Sequence, residues 1–125
     1  MKQQISTQEV PNAPAFLSQA IVSNGLIFVS GQIHSELDNS LVGETVEEKL
    51  AQIMKNISAI LAAAGATLDD VVKVTMYVTD MSFMPDLNKA YPTYFKEPYP
   101  AREAVCVKEL PLGASIEISV VASKG

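Results

Sequence analysis

Two short apolar runs, Ala20 to Ser23 and Leu26 to Ser30, flank the dipeptide Asn24-Gly25. That pair best accommodates the positive dihedrals of a two-residue turn, so the segment predicts a β-hairpin. From Thr45 the apolar spacing becomes helical, with Val46, Leu50, Ile53, Met54, Ile57, Ile60, Leu61 and Ala64 along one stripe. Thr45 and Glu48 form a capping-box pair at its start, and Gly65 stands where a left-handed cap would end it. Thr67 to Asp70 repeats a cap signal in miniature. The β-branched, largely apolar stretch Val71 to Thr79 then reads as a central strand.

A second helical pattern, Ser82 to Phe95, places Phe83, Leu87, Ala90, Tyr91 and Tyr94 at helical spacing, with Pro85 suited to a first turn. Pro92 is not suited to an interior. It removes a backbone hydrogen bond at a cost of about 3 kcal/mol, so a kink or stop is expected near Tyr91. Two closing strands follow, Arg102 to Val107 and Ser115 to Ala122, joined through Leu110-Pro111-Leu112-Gly113. The order ββαβαββ, with room for an edge strand before it, predicts an α+β sandwich in which two helices cover one sheet face. The other face is left for a partner, and further copies of the chain would supply it.

Length and composition narrow the function. The 125 residues make one domain, 1–125, long enough to bury its own core. Hydrophobic residues reach 48% and charged ones only 18%, so a lone copy would leave apolar surface exposed. Nine Lys and Arg against fourteen Asp and Glu give a net charge of -5, and the cations form no aromatic-interleaved patch. Nucleic acid is therefore not an expected partner. A single cysteine, Cys106, allows no internal disulfide; the N-terminal MKQQISTQEV has no apolar signal core; no window approaches a membrane span. The expectation is a cytoplasmic protein with no membrane partner. One histidine, His34, beside that one cysteine offers no ligand cluster, so no metal is expected.

The chemistry concentrates at Pro100-Ala101-Arg102-Glu103-Ala104-Val105-Cys106. A guanidinium is always charged and its planar fork matches a carboxylate, so an arginine leading an apolar strand points to a small acid as ligand. A salt bridge to Glu103, Glu109 or Glu117, or a snorkelling side chain, would explain it equally on this segment alone.

Several ordered blocks carry a wider resemblance: Ser30-Gly31-Gln32-Ile33, Gly65-Ala66, Val71-Val72-Lys73-Val74-Thr75, Asn88-Lys89-Ala90-Tyr91, Pro100-Ala101-Arg102, Leu110-Pro111 and Ile116-Glu117-Ile118. In order and spacing, from about Asn12 to Ala122, they resemble the Rid (YjgF-like) family of reactive-intermediate imine deaminases. The resemblance implies a chorismate-mutase-like (RidA-like) α+β fold with a mixed sheet. It further implies a homotrimer built around a central barrel, with ligand sites in clefts between subunits. The implied reaction is hydrolysis of 2-enamine and 2-imine acids such as 2-aminoacrylate to 2-keto acids and ammonia, without a cofactor. Arg102 would hold the substrate carboxylate, helped by the backbone amide of Ala104. Ser30, Gly31 and Asn88 would line the cleft.

Three departures from that pattern stand near the chemistry. The resemblance implies a second glutamate on the last strand that positions the attacking water, and this place is taken by Ser119. Glu117 points to the same side, but two residues of rise put it roughly 6.5 Å away. A cleft tyrosine becomes Leu17 within Phe16-Leu17-Ser18-Gln19, leaving an apolar wall, and a cysteine becomes Ala104. Cys106 lies two residues further on, where a free cysteine is most often a small buried hydrophobe. His34 replaces a common proline in a loop expected to be solvated. Two functions follow: a deaminase using Arg102 with water held at Ser119, or a non-catalytic or regulatory binder of a small carboxylate such as a keto acid.

Overall fold

One mixed sheet of six strands organises residues 1–124, the span described by the computed structural model. The strands are β1 (Gln3–Ile5), β2 (Ala20–Ser23), β3 (Leu26–Ile33), β4 (Val71–Val78), β5 (Ala101–Cys106) and β6 (Ile116–Ser123), in the order β1-β2-β3-β6-β4-β5. All neighbours are antiparallel except β4 and β5, which run parallel. Helix α1 (Val46–Ala63) crosses β3 and β6, and α2 (Met84–Ala90) packs on α1. This is the expected α+β architecture, including the edge strand before the hairpin.

Local chemistry explains the boundaries. Asn24 and Gly25 both take positive φ, 53° and 77°, as a tight hairpin turn requires. Thr45 and Glu48 close the capping box at the start of α1, and Gly65 turns the chain out with φ 78°. The second helix is shorter than its apolar spacing suggests. It ends at Ala90, and Tyr91–Tyr94, containing Pro92, forms a separate 3-10 turn. The proline lacks the N–H that would continue the α-helical ladder.

The stripe read from the sequence becomes the core. Leu50, Ile53, Ile57, Ile60 and Leu61 are fully buried against Ile27, Met76, Ile116 and Ile118, and Leu87 of α2 joins them. Each such side chain contributes about 1.5–3 kcal/mol relative to exposure. On β6 burial alternates strictly: Ile116, Ile118, Val120 and Ala122 are buried, while Glu117, Ser119, Val121 and Ser123 are half-exposed on the other face. No described helix is long and apolar enough to cross a membrane.

His34 departs from expectation. Its side chain is buried rather than solvated, because the loop folds back and Val42 N–H donates to the His34 carbonyl at 2.8 Å. The ring Nδ1 donates to Val42 O at 3.1 Å, and Nε2 accepts the Ser115 N–H at 3.2 Å.

Two buried amides tie loops to this frame. Asn56 donates to Ser35 O, and Gln52 donates to Asn56 Oδ1. Gln19 accepts the Thr7 N–H at 2.7 Å and donates to Val10 O and Pro11 O, fixing the N-terminal segment against β2. Replacing Gln19 by alanine leaves those backbone groups without partners. The expected loss is about 2–4 kcal/mol in urea unfolding, well above an ordinary surface substitution. A loss below about 0.5 kcal/mol would contradict this role for the amide.

Candidate ligand site

Arg102 is the second residue of β5, a strand at the edge of the sheet. Parallel pairing sets it opposite Val74 and sets Ala104 opposite Met76, so both belong to the face that carries the helices. There the guanidinium carbon lies 4.9 Å from the centroid of the Tyr91 ring, and Nη2 donates to Asn88 Oδ1 at 2.8 Å. Tyr91 supplies a buried aromatic platform and Asn88, three residues earlier, an acceptor. The salt-bridge explanation of Arg102 does not hold. Glu103 pairs with Lys73 at 3.0 Å, and among the described residues no carboxylate lies within ion-pair distance of Arg102. A fixed, exposed guanidinium with unused donors is what a carboxylate ligand needs.

The second group of candidates lies across the sheet. The pairing of β3 with β6 slips between Val29 and Gln32, a bulge containing Ser30 and Gly31. The Glu117 carboxylate occupies the space over Gly31; a Cβ built on that glycine would collide with it. A side chain at this position would push the Glu117 carboxylate aside, so the bare glycine is what leaves that space to it. Glu117 is half-buried, and burial pushes its pKa above the usual carboxylate value. It has no hydrogen-bond or ion-pair partner among the described residues. Ser119, opposite Thr75, shares this face. Ser30 Oγ donates to Ser18 O at 2.6 Å, which draws Leu17 close; Leu17, Phe16, Phe28 and Ser30 line an open groove of about 610 Å³.

One chain therefore gathers the nominated residues into two clusters. Arg102, Asn88 and Ala104 stand on the helix side; Leu17, Ser30, Gly31, Glu117 and Ser119 stand on or beside the open face. The row Val120, Val74, Arg102 faces one way and the row Ser119, Thr75, Glu103 the other. Tyr91 escaped notice as a site residue because its helical spacing explained it as core. Its hydroxyl is buried without a partner among the described residues. Cys106 is exposed, contrary to the usual habit of a free cysteine, because β5 is an edge. Among the described residues no three His, Cys, Asp or Glu side chains gather where they could hold a metal ion.

Comparison with known proteins adds relatives along the full length. The family model described as endoribonuclease L-PSP matches residues 7–124. A RutC family protein of Aquifex aeolicus is 43% identical, covering 97% of this chain and 98% of its own. The chloroplastic Reactive Intermediate Deaminase A of Arabidopsis thaliana is 39% identical, covering 98% of this chain and 66% of its own. Among solved structures, the Rid-family protein YyfA of Yersinia pestis superposes with TM-score 0.93 at 41% identity, covering 98% of this chain and 99% of that one. TdcF of E. coli, solved with bound serine, superposes with TM-score 0.89 at 27% identity, covering 98% and 99%.

A raised carboxyl pKa has a stability consequence whose sign is fixed. The folded state holds the Glu117 proton to higher pH than the unfolded chain does, so this group's contribution is fully present below the ordinary glutamate value. It is lost as pH rises through the folded one. Glu117→Gln should therefore raise the unfolding temperature at pH 7 relative to the parent, with the gain shrinking toward pH 4. A variant less stable than the parent at pH 7 would mean that the carboxylate has a stabilising partner.

Proposed function

The chain belongs to the Rid (YjgF-like) family, and from that premise we propose that it hydrolyses 2-imino and 2-enamino acids to 2-keto acids and ammonia. The observation that carries this reading is the pair of unspent charged groups: a guanidinium held by Asn88 and Tyr91, and a half-buried carboxylate over Gly31. The first suits a substrate carboxylate, the second a water molecule. Because the two lie on opposite faces of one sheet, a working site joins Arg102 of one copy to Glu117 of another. The open face, with Phe28 and Val105 exposed, supplies apolar surface for such an assembly, in keeping with the homotrimer that the family resemblance implies.

The substrate carboxylate docks on Arg102 with its imine carbon toward the open-face cluster. Glu117 accepts a proton from water as the oxygen attacks that carbon, forming a carbinolamine. Returning that proton to nitrogen completes the neutral carbinolamine; transfer of its hydroxyl proton to nitrogen, again through Glu117, breaks the C–N bond as the C=O bond forms, so one water is consumed and one ammonia released. A carboxyl with a raised pKa lies closer to the operating pH and is the better proton carrier. Anchoring the carboxylate also limits the poses open to a small substrate. This reading moves the acid–base role from Ser119 to Glu117, and leaves Ser119 as a neighbouring hydroxyl. Backbone groups of the β5 edge near Ala104 complete the cradle.

Two other readings compare less well. A non-catalytic binder of small carboxylates draws support from the serine bound to TdcF and from Leu17 in place of a cleft phenol. An endoribonuclease, the description of the family model, would need a polyanion to approach a chain of net charge -5.

The test couples this protein to a dehydratase that generates 2-aminocrotonate from threonine, with semicarbazide trapping free imine and 2-ketobutyrate as the readout. Wild type should accelerate keto-acid release. Arg102→Ala should reduce the increment to background, Glu117→Gln should reduce it about 10²- to 10⁴-fold, and Ser119→Ala should leave it within about threefold. Release no faster than the protein-free control would refute deamination of this substrate. Keto-acid binding that still depends on Arg102 would then favour the binder.

A further inference from the structure

His34 lies one residue beyond β3, and Ser115 one residue before β6. The hydrogen bond between them therefore ties together the ends of the two strands that carry Gly31 and Glu117. Ile33 is the register partner of Glu117, so the tie sits at the pair next to the carboxylate. Every polar group of Ser115 is committed. Its N–H donates to His34 Nε2 at 3.2 Å, its Oγ accepts from Lys49 Nζ at 2.9 Å, and its carbonyl accepts the Thr79 N–H at 3.1 Å. Breaking the His34 bond removes one of the three ties that seat Ser115 at the entry to β6.

We propose that His34 is a positioning residue for Glu117, its neutral ring seating the start of β6 so that protonation of the ring displaces the carboxylate over Gly31. The proposal rests on the reading of Glu117 as the site carboxylate. The tautomer is set by partners: Nδ1–H is spent on Val42 O, so only a bare Nε2 lone pair accepts the Ser115 N–H. An imidazolium would present N–H to N–H. Lys49, reaching in from α1, is the charged group that acts on the ring, and it opposes a second positive charge there. The groups facing the ring from the 34–42 loop and from β6, namely Val42 O and the Ser115 amide, are uncharged, as is Thr79 beyond β4. Among the described residues no carboxylate lies within ion-pair distance of the ring.

The sign of the effect follows from burial. Burial and Lys49 hold the His34 pKa below its ordinary value, so the unfolded chain binds this proton at higher pH than the folded one. The tie is fully present above about pH 6.5 and is lost as pH falls from there through the folded value.

The test is a ¹³C and ¹⁵N NMR titration of the whole protein from pH 8 to pH 4.5, following the His34 ring, the Ser115 amide and the Glu117 carboxyl carbon. In wild type the Ser115 amide and the Glu117 carbon should both inflect at the His34 pKa, with Glu117 showing its own step as well. In His34→Gln, whose amide oxygen can accept the Ser115 N–H without titrating, the shared inflection should vanish. A single-step Glu117 titration in wild type, indifferent to His34, would overturn the proposal, and this reading needs no variant to fold. Turnover separates the two claims. Below both the shared inflection and the Glu117 step log(kcat/KM) should fall with slope two in wild type and one in His34→Gln, a gap widening about tenfold per pH unit. Coupled titration without turnover at any pH would refute deamination and leave the positioning role standing.

Discussion

The alternation of β6 between a buried and an open face is the constraint on which the site depends. Ile116, Ile118, Val120 and Ala122 must point at α1, because they close the core. Given that, Glu117 and Ser119 have no choice but the opposite face, since a strand turns successive side chains by half a revolution. The same pairing carries through β4 to β5 and commits Arg102 to the helix side. A slip of one residue in the β4–β6 register would exchange core and site together, and the 0% exposure of Ile116 and Ile118 shows how strongly that register is held. One copy therefore carries the Arg102 and Glu117 clusters on opposite faces of its sheet.

Each of the two clusters holds a polar group whose burial works against folding. Among the described residues Glu117 is half-buried without a partner, and the Tyr91 hydroxyl is buried without one. Unpaired polar groups of this kind oppose folding by about 1–3 kcal/mol apiece when fully buried. The surrounding structure tolerates them because the long apolar stripe of α1 supplies ample burial. Arg102, by contrast, is exposed and held by a neutral acceptor and an aromatic face, which orient the guanidinium without neutralising it. A carboxylate partner in place of Asn88 would have held it equally well and competed with the ligand.

Much of this was legible in the sequence where the signal is local. Asn24-Gly25, the Thr45–Glu48 box and the stripe from Val46 to Ala64 each carry a short-range physical cause, and the hairpin and α1 appear where those causes put them. Arg102 stood out in the sequence because a permanent charge in a largely apolar strand is an anomaly that needs a reason. The lone histidine was misread as solvated because its burial depends on the 34–42 loop folding back under Ser115, 81 residues away. Ser119 was named because the family resemblance places the water-positioning group there, and strand rise argued against Glu117 as its substitute. What separates them is the bulge at Ser30–Gly31, a feature of pairing between distant strands that brings the carboxylate over a bare glycine. Tyr91 was hidden for a different reason, since one ring both closes the core and lies against the Arg102 guanidinium.

The central claim is that one site is shared between copies, and complementation tests it most directly. Chains carrying Arg102→Ala and chains carrying Glu117→Gln would be unfolded, mixed and refolded together, each alone being inactive in keto-acid release. Mixed assemblies in which an intact Arg102 meets an intact Glu117 across an interface should recover a substantial fraction of wild-type activity. Mixtures no more active than either variant alone, with co-assembly verified by mass, would contradict the shared site and return both groups to a single chain.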